Sequence, residues 1–108
     1  MANLSYTAFF GDGEHTFRLT KREIEELQIK CGSGIGAIAN RIAARNFALA
    51  DINETIRLAL IGGGITPKRA YELIVAYVDG RPLIETHELA AKILERTLCG
   101  NPDEDSKQ

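Results

Sequence analysis

Leu4-Ser5-Tyr6-Thr7-Ala8-Phe9-Phe10-Gly11-Asp12-Gly13-Glu14-His15-Thr16-Phe17-Arg18-Leu19, followed at once by Thr20-Lys21-Arg22-Glu23, is the stretch that decides the fold class. Its first half alternates. Leu4, Tyr6, Ala8, Phe10, His15, Phe17 and Leu19 fall on one face of a hairpin, and Ser5, Thr7, Phe9, Thr16 and Arg18 fall on the other. Side chains alternate along a strand, so the first face is the core face and the second is polar apart from Phe9. Asp12-Gly13 is a two-residue turn signal, because glycine takes positive φ without a steric penalty. A turn centred there predicts pairing of Phe10 with His15, Ala8 with Phe17 and Tyr6 with Leu19. A lone hairpin is marginal in water and needs helices to dock on. Thr20 and Glu23 supply the start of one, at capping-box spacing.

From that point the chain reads as helical. The first helix buries Ile24, Leu27 and Cys31 and stops at Gly32. Ser33 offers an N-cap for the second, whose face is Ile35, Ile38, Ala39 and Ile42, with Asn46 as its end. Asp51 offers a cap for the third, with Glu54 three residues on and a stripe of Ile52, Ile56, Ala59 and Leu60. Gly62-Gly63-Gly64 ends it. Thr66-Pro67 opens the fourth as N-cap and first-turn proline, with Ala70, Leu73, Ile74, Tyr77 and Val78 inward and Gly80 at its close. The fifth runs from near Leu83 or Ile84 to Leu98, with His87, Ala90, Ala91, Leu94 and Leu98 on its stripe. The expected fold is α+β: an N-terminal β-hairpin packed on about five α-helices, in one domain over residues 1–100. The polar residues 101–108 have no apolar anchor and are expected to form a disordered tail.

Composition excludes several roles. The 108 residues carry 13 basic and 15 acidic side chains, a formal charge of -2. A general nucleic-acid binder shows a basic stripe instead. The apolar-rich stretch Ile52–Ile65 contains Glu54, Arg57 and glycines, too short and too polar for a membrane span. No charged leader with an apolar core opens the chain, so a cytoplasmic location is expected. Cys31 and Cys99 read as buried free thiols in a reducing compartment.

No catalytic constellation emerges, and the chain reads as a non-enzyme without cofactor or small-molecule substrate. His87 on an apolar stripe reads as structural, and His15 beside a turn as a surface or edge residue. The cysteines and histidines lack chelating spacing, so no metal is expected. Gly32-Ser33-Gly34-Ile35-Gly36 has neither the preceding strand nor the spacing of a phosphate loop. Gly62, Gly63 and Gly64 suggest a close approach between helices three and four, with a hinge as their other use. Arg41 and Arg45, one turn apart on helix two, form with Lys30 or Arg22 a modest basic patch for an acidic partner. Phe9, apolar on the polar face of an edge hairpin, marks a docking site for another strand. Helices three and four, with Lys68 and Arg69 opening the second, supply an alternative reading as a helix-turn-helix DNA-binding regulator.

One ordered series of motifs is distinctive. It runs from Phe17-Arg18-Leu19-Thr20 through Ile24-Glu25-Glu26-Leu27, Ile35-Gly36-Ala37-Ile38 and Asp51-Ile52. It continues with Ile56-Arg57-Leu58-Ala59-Leu60-Ile61-Gly62-Gly63-Gly64, then Ala70 and Leu73-Ile74, and ends in Leu98-Cys99-Gly100. The leucine-to-triple-glycine segment followed by Thr66-Pro67 is its most specific part. Over roughly residues 4 to 100 the chain resembles the tail-assembly-chaperone-like proteins of gene transfer agents and tailed phages. That resemblance implies a non-enzymatic protein-binding role in building a phage-like tail. The implied partners are a tape-measure protein, which it would hold soluble, or tail tube subunits, which it would recruit. A minor structural place in the tail is the alternative, and self-association is compatible with either. The family brings no catalytic residues to carry over.

Overall fold

The computed structural model describes residues 4–100, which form a two-stranded antiparallel hairpin followed by five helices. The strands are β1 (Tyr6–Phe10) and β2 (Gly13–Phe17). The helices are α1 (Lys21–Cys31), α2 (Ile35–Ala43), α3 (Leu49–Gly62), α4 (Pro67–Tyr77) and α5 (Leu83–Cys99). The expected α+β, mostly helical class is the one observed. The tail expected over residues 101–108 lies outside the described residues.

The hairpin turns earlier than its Asp-Gly signal suggests. Tyr6 pairs with Phe17, Ala8 with His15 and Phe10 with Gly13, so Gly11-Asp12 is the two-residue loop. Gly11 has φ +65 while Asp12 keeps an ordinary φ, the glycine-first order of a type II′ turn. A Cβ on Gly11 would also strike the Tyr77 ring, at 2.5 Å from Cδ2. The partner of every β1 residue therefore differs from the sequence expectation by two positions. A shift of two preserves the faces. Phe10, Phe17 and Leu19 are buried, whereas Thr7, Phe9, Thr16 and Arg18 face out.

Thr20 and Glu23 open α1 as their spacing predicts. The Glu23 carboxylate accepts the Thr20 amide at 3.0 Å and also the Thr20 hydroxyl. Gly32, at φ +67, closes the helix. Ser33 does not cap α2. Gln28 of α1 reaches over instead, its Oε1 accepting the Ile35 amide at 2.9 Å, and Ser33 turns its hydroxyl to Arg41. The end of α2 also comes sooner than Asn46. The Arg45 amide donates to the Ile42 carbonyl and the Asn46 amide to the Arg41 carbonyl, the paired bonds of a Schellman ending. Its left-handed residue, ordinarily glycine, is Arg45 at φ +58.

α3 starts at Leu49, so Asp51 is not its cap but the third residue of its first turn, with its carboxylate accepting the Ala48 amide at 2.9 Å. α3 is the hub of the fold and packs against every other helix and β2. Ile52, Thr55, Ile56, Leu58, Ala59 and Leu60 are all buried, so burial runs nearly round the helix instead of along one stripe. Thr66 and Pro67 open α4 as expected, the Thr66 hydroxyl accepting the Arg69 amide at 3.2 Å. On α5, Thr86, Ala90, Ile93 and Leu94 are buried, and Leu98, expected inward, is 51% exposed. Cys99 is exposed as well, not buried, and with Leu98 it lines a shallow hollow against Ala39, Asn40 and Ala43 of α2.

The triple glycine meets a different neighbour from the one expected. A Cβ on Gly62 would lie 1.9 Å from the Arg18 carbonyl oxygen, and one on Gly63 would lie 1.9 Å from that of Thr16. The close approach is therefore between α3 and the hairpin, not between α3 and α4. It is tied by the Arg18 amide, which donates to the Ala59 carbonyl at 3.0 Å. Gly64, at φ +115 with open space around its α-carbon, makes the reversal.

Candidate partner-binding surface

α3 covers the β2 edge from Thr16 to Arg18, which leaves the β1 edge as the more open side of the sheet. In an antiparallel pair, residues facing each other alternate between hydrogen-bonded and non-bonded pairs. A two-residue loop closes on a bonded pair, here Phe10 and Gly13, so Ala8 with His15 and Tyr6 with Phe17 are bonded too. The amide and carbonyl groups of Thr7 and Phe9 therefore point away from β2. The outward Thr16 carbonyl, hard against Gly63, confirms the parity. Among the described residues, no backbone group or side chain meets the outward amides of Thr7 and Phe9.

Phe9 stands on this edge with 76% of its surface exposed. Two hollows flank it, between β1 and α5. One, of about 380 Å³, is lined by Phe9, Phe10, Tyr77, Arg81 and Glu85 among others. The second, of about 220 Å³, is lined by Tyr6, Ala8, Thr86, Glu88, Leu89 and Lys92 among others. They share Phe9, Phe10, Glu85 and Thr86, and so make one groove along the strand. Arg81 and Glu85 pair across its rim at 2.8 Å. The floor is rigid: Phe10 meets Phe17 and Tyr77 edge to face, and the Arg96 guanidinium lies over Tyr6 at 5.4 Å.

Arg41 and Arg45, expected one turn apart on the second helix, have separate situations, because α2 ends at Ala43 and Arg45 lies beyond it. Arg41 holds Asp51 with two bonds of 2.8 and 2.7 Å and donates to Ser33 at 2.8 Å. Asp51 is 1% exposed, and its carboxyl is held below the usual range, chiefly by Arg41 and further by the Ala48 amide. The guanidinium thus ties α2 to the start of α3. Arg45 remains exposed, on its left-handed backbone. Gly63 is pressed on Thr16 of β2 and Gly62 on Arg18 just after it, which gives them a packing role that charge and spacing could not reveal.

Both histidines, Asp12 and Cys31 are internally engaged. His87 donates from Nε2 to the Ile42 carbonyl at 2.6 Å and lies against Phe47, a structural histidine. His15 is less exposed than a turn residue suggests, wedged beside Phe10 and Phe17 and bonded to Asp12 at 2.8 Å. The His15 bond first, and Arg69 with it, keep the Asp12 carboxyl below the usual range. Burial, then Asp51, pushes the Cys31 thiol up to about 11, which disfavours the thiolate. No group of three or more potential metal ligands occurs among the described residues. On α4, Arg69 pairs with Asp12 and faces Glu72, so Lys68 is left as the free cation of the presumed reading helix among the described residues. Its outer face shows Tyr71, Glu72 and Val75, a poor match to phosphates. No helix among the described residues is long and apolar enough to cross a membrane.

Comparison with known proteins returns no match among curated proteins and none among solved structures. A family model, described as phage tail tube protein, GTA-gp10, matches residues 4–100, the whole of the described fold. The hairpin, the α3 glycines and the five-helix order all lie within that span, and the chain belongs to this phage tail family.

Proposed function

We propose that the protein is a non-enzymatic, protein-binding factor in the assembly of a phage-like tail, and that it holds the tape-measure protein or recruits tail tube subunits. The observation that carries this reading is the open β1 edge with Phe9, in a chain whose family is a tail family. A tape-measure chain not yet enclosed by a tube exposes apolar and unpaired backbone groups, and an open strand edge beside a groove can cover such groups. The strand arrangement supports transient holding. Propagating a tube wall through strands needs two open edges per subunit, and here the Thr16–Arg18 end of the β2 edge is covered by α3. The family description supports a second reading, a minor structural component of the tail.

A tagged pull-down from the host, under conditions that induce phage-like particles, separates these readings. The expected result is capture of a tape-measure or tail tube protein, with this protein missing from finished particles. Its presence inside purified particles would establish the structural reading, and capture of neither protein would overturn both.

A further inference from the structure

The groove beside β1 has room for side chains, and the edge above it has unmet backbone partners. Taken together these specify the occupant more closely than "a protein". The outward amides and carbonyls of Thr7 and Phe9 repeat at strand spacing, so their natural complement is another extended backbone. Edges left open in natural sheets are ordinarily guarded by lysine, proline or a bulge. Tyr6–Phe10 contains no charged residue and no proline, and its register is unbroken.

A second copy of this chain fits poorly. Its own β1 would present Phe10, which is only 7% exposed, and Tyr6 and Ala8, which are packed against its core. Those side chains cannot leave that core to fill hollows of about 380 and 220 Å³. A twofold axis perpendicular to the sheet at this edge would also bring the two α5 helices together antiparallel. The groove-lining charges, Arg81 just before α5 and Glu85, Glu88 and Lys92 on it, read the same from either end, so with the axis between Glu85 and Glu88 like charges would oppose. The occupant must instead carry free side chains on the face turned to the groove. Arg81 already neutralises Glu85, while Glu88 has no ion pair among the described residues. A cation on the incoming strand would complement it.

Resting on the assembly reading above, we infer that β1 takes up an extended, unfolded segment of another protein as a third strand. Its groove-facing residues are apolar with one lysine or arginine set against Glu88. The protein thereby recognises backbone and alternation, which suits a long partner with many such segments better than a single folded epitope.

The probe is the blocked peptide Val-Thr-Val-Thr-Lys-Thr-Val, followed by amide hydrogen exchange and chemical shifts of the intact protein. The expected result is exchange at Thr7 and Phe9 slowed by about tenfold or more, with shifts confined to β1 and the first half of α5. Replacing the peptide lysine by glutamate weakens binding by about tenfold, and Glu88→Lys reverses that preference. N-methylation of the peptide amides that face β1 abolishes binding. Equal binding by the N-methylated peptide, no protection at millimolar peptide, or protection that appears without peptide as protein concentration rises would each overturn the inference. The last result would give the edge to a second copy. A tail protein captured from the host while Thr7 and Phe9 stay unprotected overturns strand addition but leaves the assembly role standing. Peptide protection without any captured tail protein does the reverse.

Discussion

At the scale of single residues, the pair Arg41 and Asp51 decides how α2 and α3 meet. Asp51 is buried, and Arg41 covers it with a two-pronged contact while itself only 29% exposed. Removing one member leaves the other uncompensated, so Asp51→Asn is expected to cost about 2–3 kcal/mol in denaturant unfolding. The sign with pH follows from the lowered carboxyl. Its contribution is complete above the unfolded value of about 4 and is lost as pH falls through the lower folded value. Asp51→Asn should therefore flatten the acid limb of the stability curve, whereas wild-type stability should fall below about pH 4. Arg45 is a strained counterpart. Left-handed backbone disfavours any side chain with a Cβ, so Arg45→Gly should raise stability by up to about 1 kcal/mol in thermal melts. Neither residue's situation was legible from sequence. Asp51 has a cap residue's chemistry, but a carboxylate at the third helical position also reaches back to the first amide. The arginine that selects this position comes from another helix, and helix periodicity does not encode that distance.

At the scale of elements, the junction of hairpin and α3 depends on two missing side chains. Gly62→Ala or Gly63→Ala would drive a methyl group into the Arg18 or Thr16 carbonyl, and backbone cannot rotate aside as a side chain can. Each is expected to cost 3 kcal/mol or more, roughly the upper end for overpacking, and to shift hairpin resonances first. Gly36→Ala is the control. It lies inside α2 with open space around it and should stabilise by about 0.5 kcal/mol through helix propensity. The order of elements, the polarity of the hairpin faces and the starts of α1 and α4 were all legible. Each rests on local physics: alternation, capping and the fixed φ of proline. The hairpin register was not. Gly11-Asp12-Gly13 offers two overlapping turns, and the Tyr77 ring against Gly11, a contact with α4, favours the earlier one. The full burial of α3 was hidden for a related reason. Leu58 and Thr55 lie off its main stripe and are covered by elements that come from both sides of it in sequence.

At the scale of the molecule, a core and an edge divide the work, and a substitution can test one without disturbing the other. The core cluster joins both strands and all five helices, from Phe10 and Phe17 to Leu94, and its inward side chains have no freedom to meet a partner. Phe9 is the reverse case. Its alternation places it outside, it contributes little to burial, and the sequence marked it because an aromatic on a polar strand face lacks a folding reason. The groove beneath it was not legible, since its far wall is α5, more than seventy residues away. Phe9→Lys should leave the melting temperature nearly unchanged, within about 0.5 kcal/mol, because surface changes away from packed features cost little. It should also guard the edge, because a lysine on an open strand disfavours the approach of another strand. Capture of tail proteins is expected to weaken by about tenfold or more, read by quantitative pull-down beside the melt. A variant that melts normally and still captures its partner at full strength would move the binding surface away from β1. One that unfolds would show that Phe9 belongs to the fold after all, in which case Thr7→Lys, on the same edge and face, repeats the test.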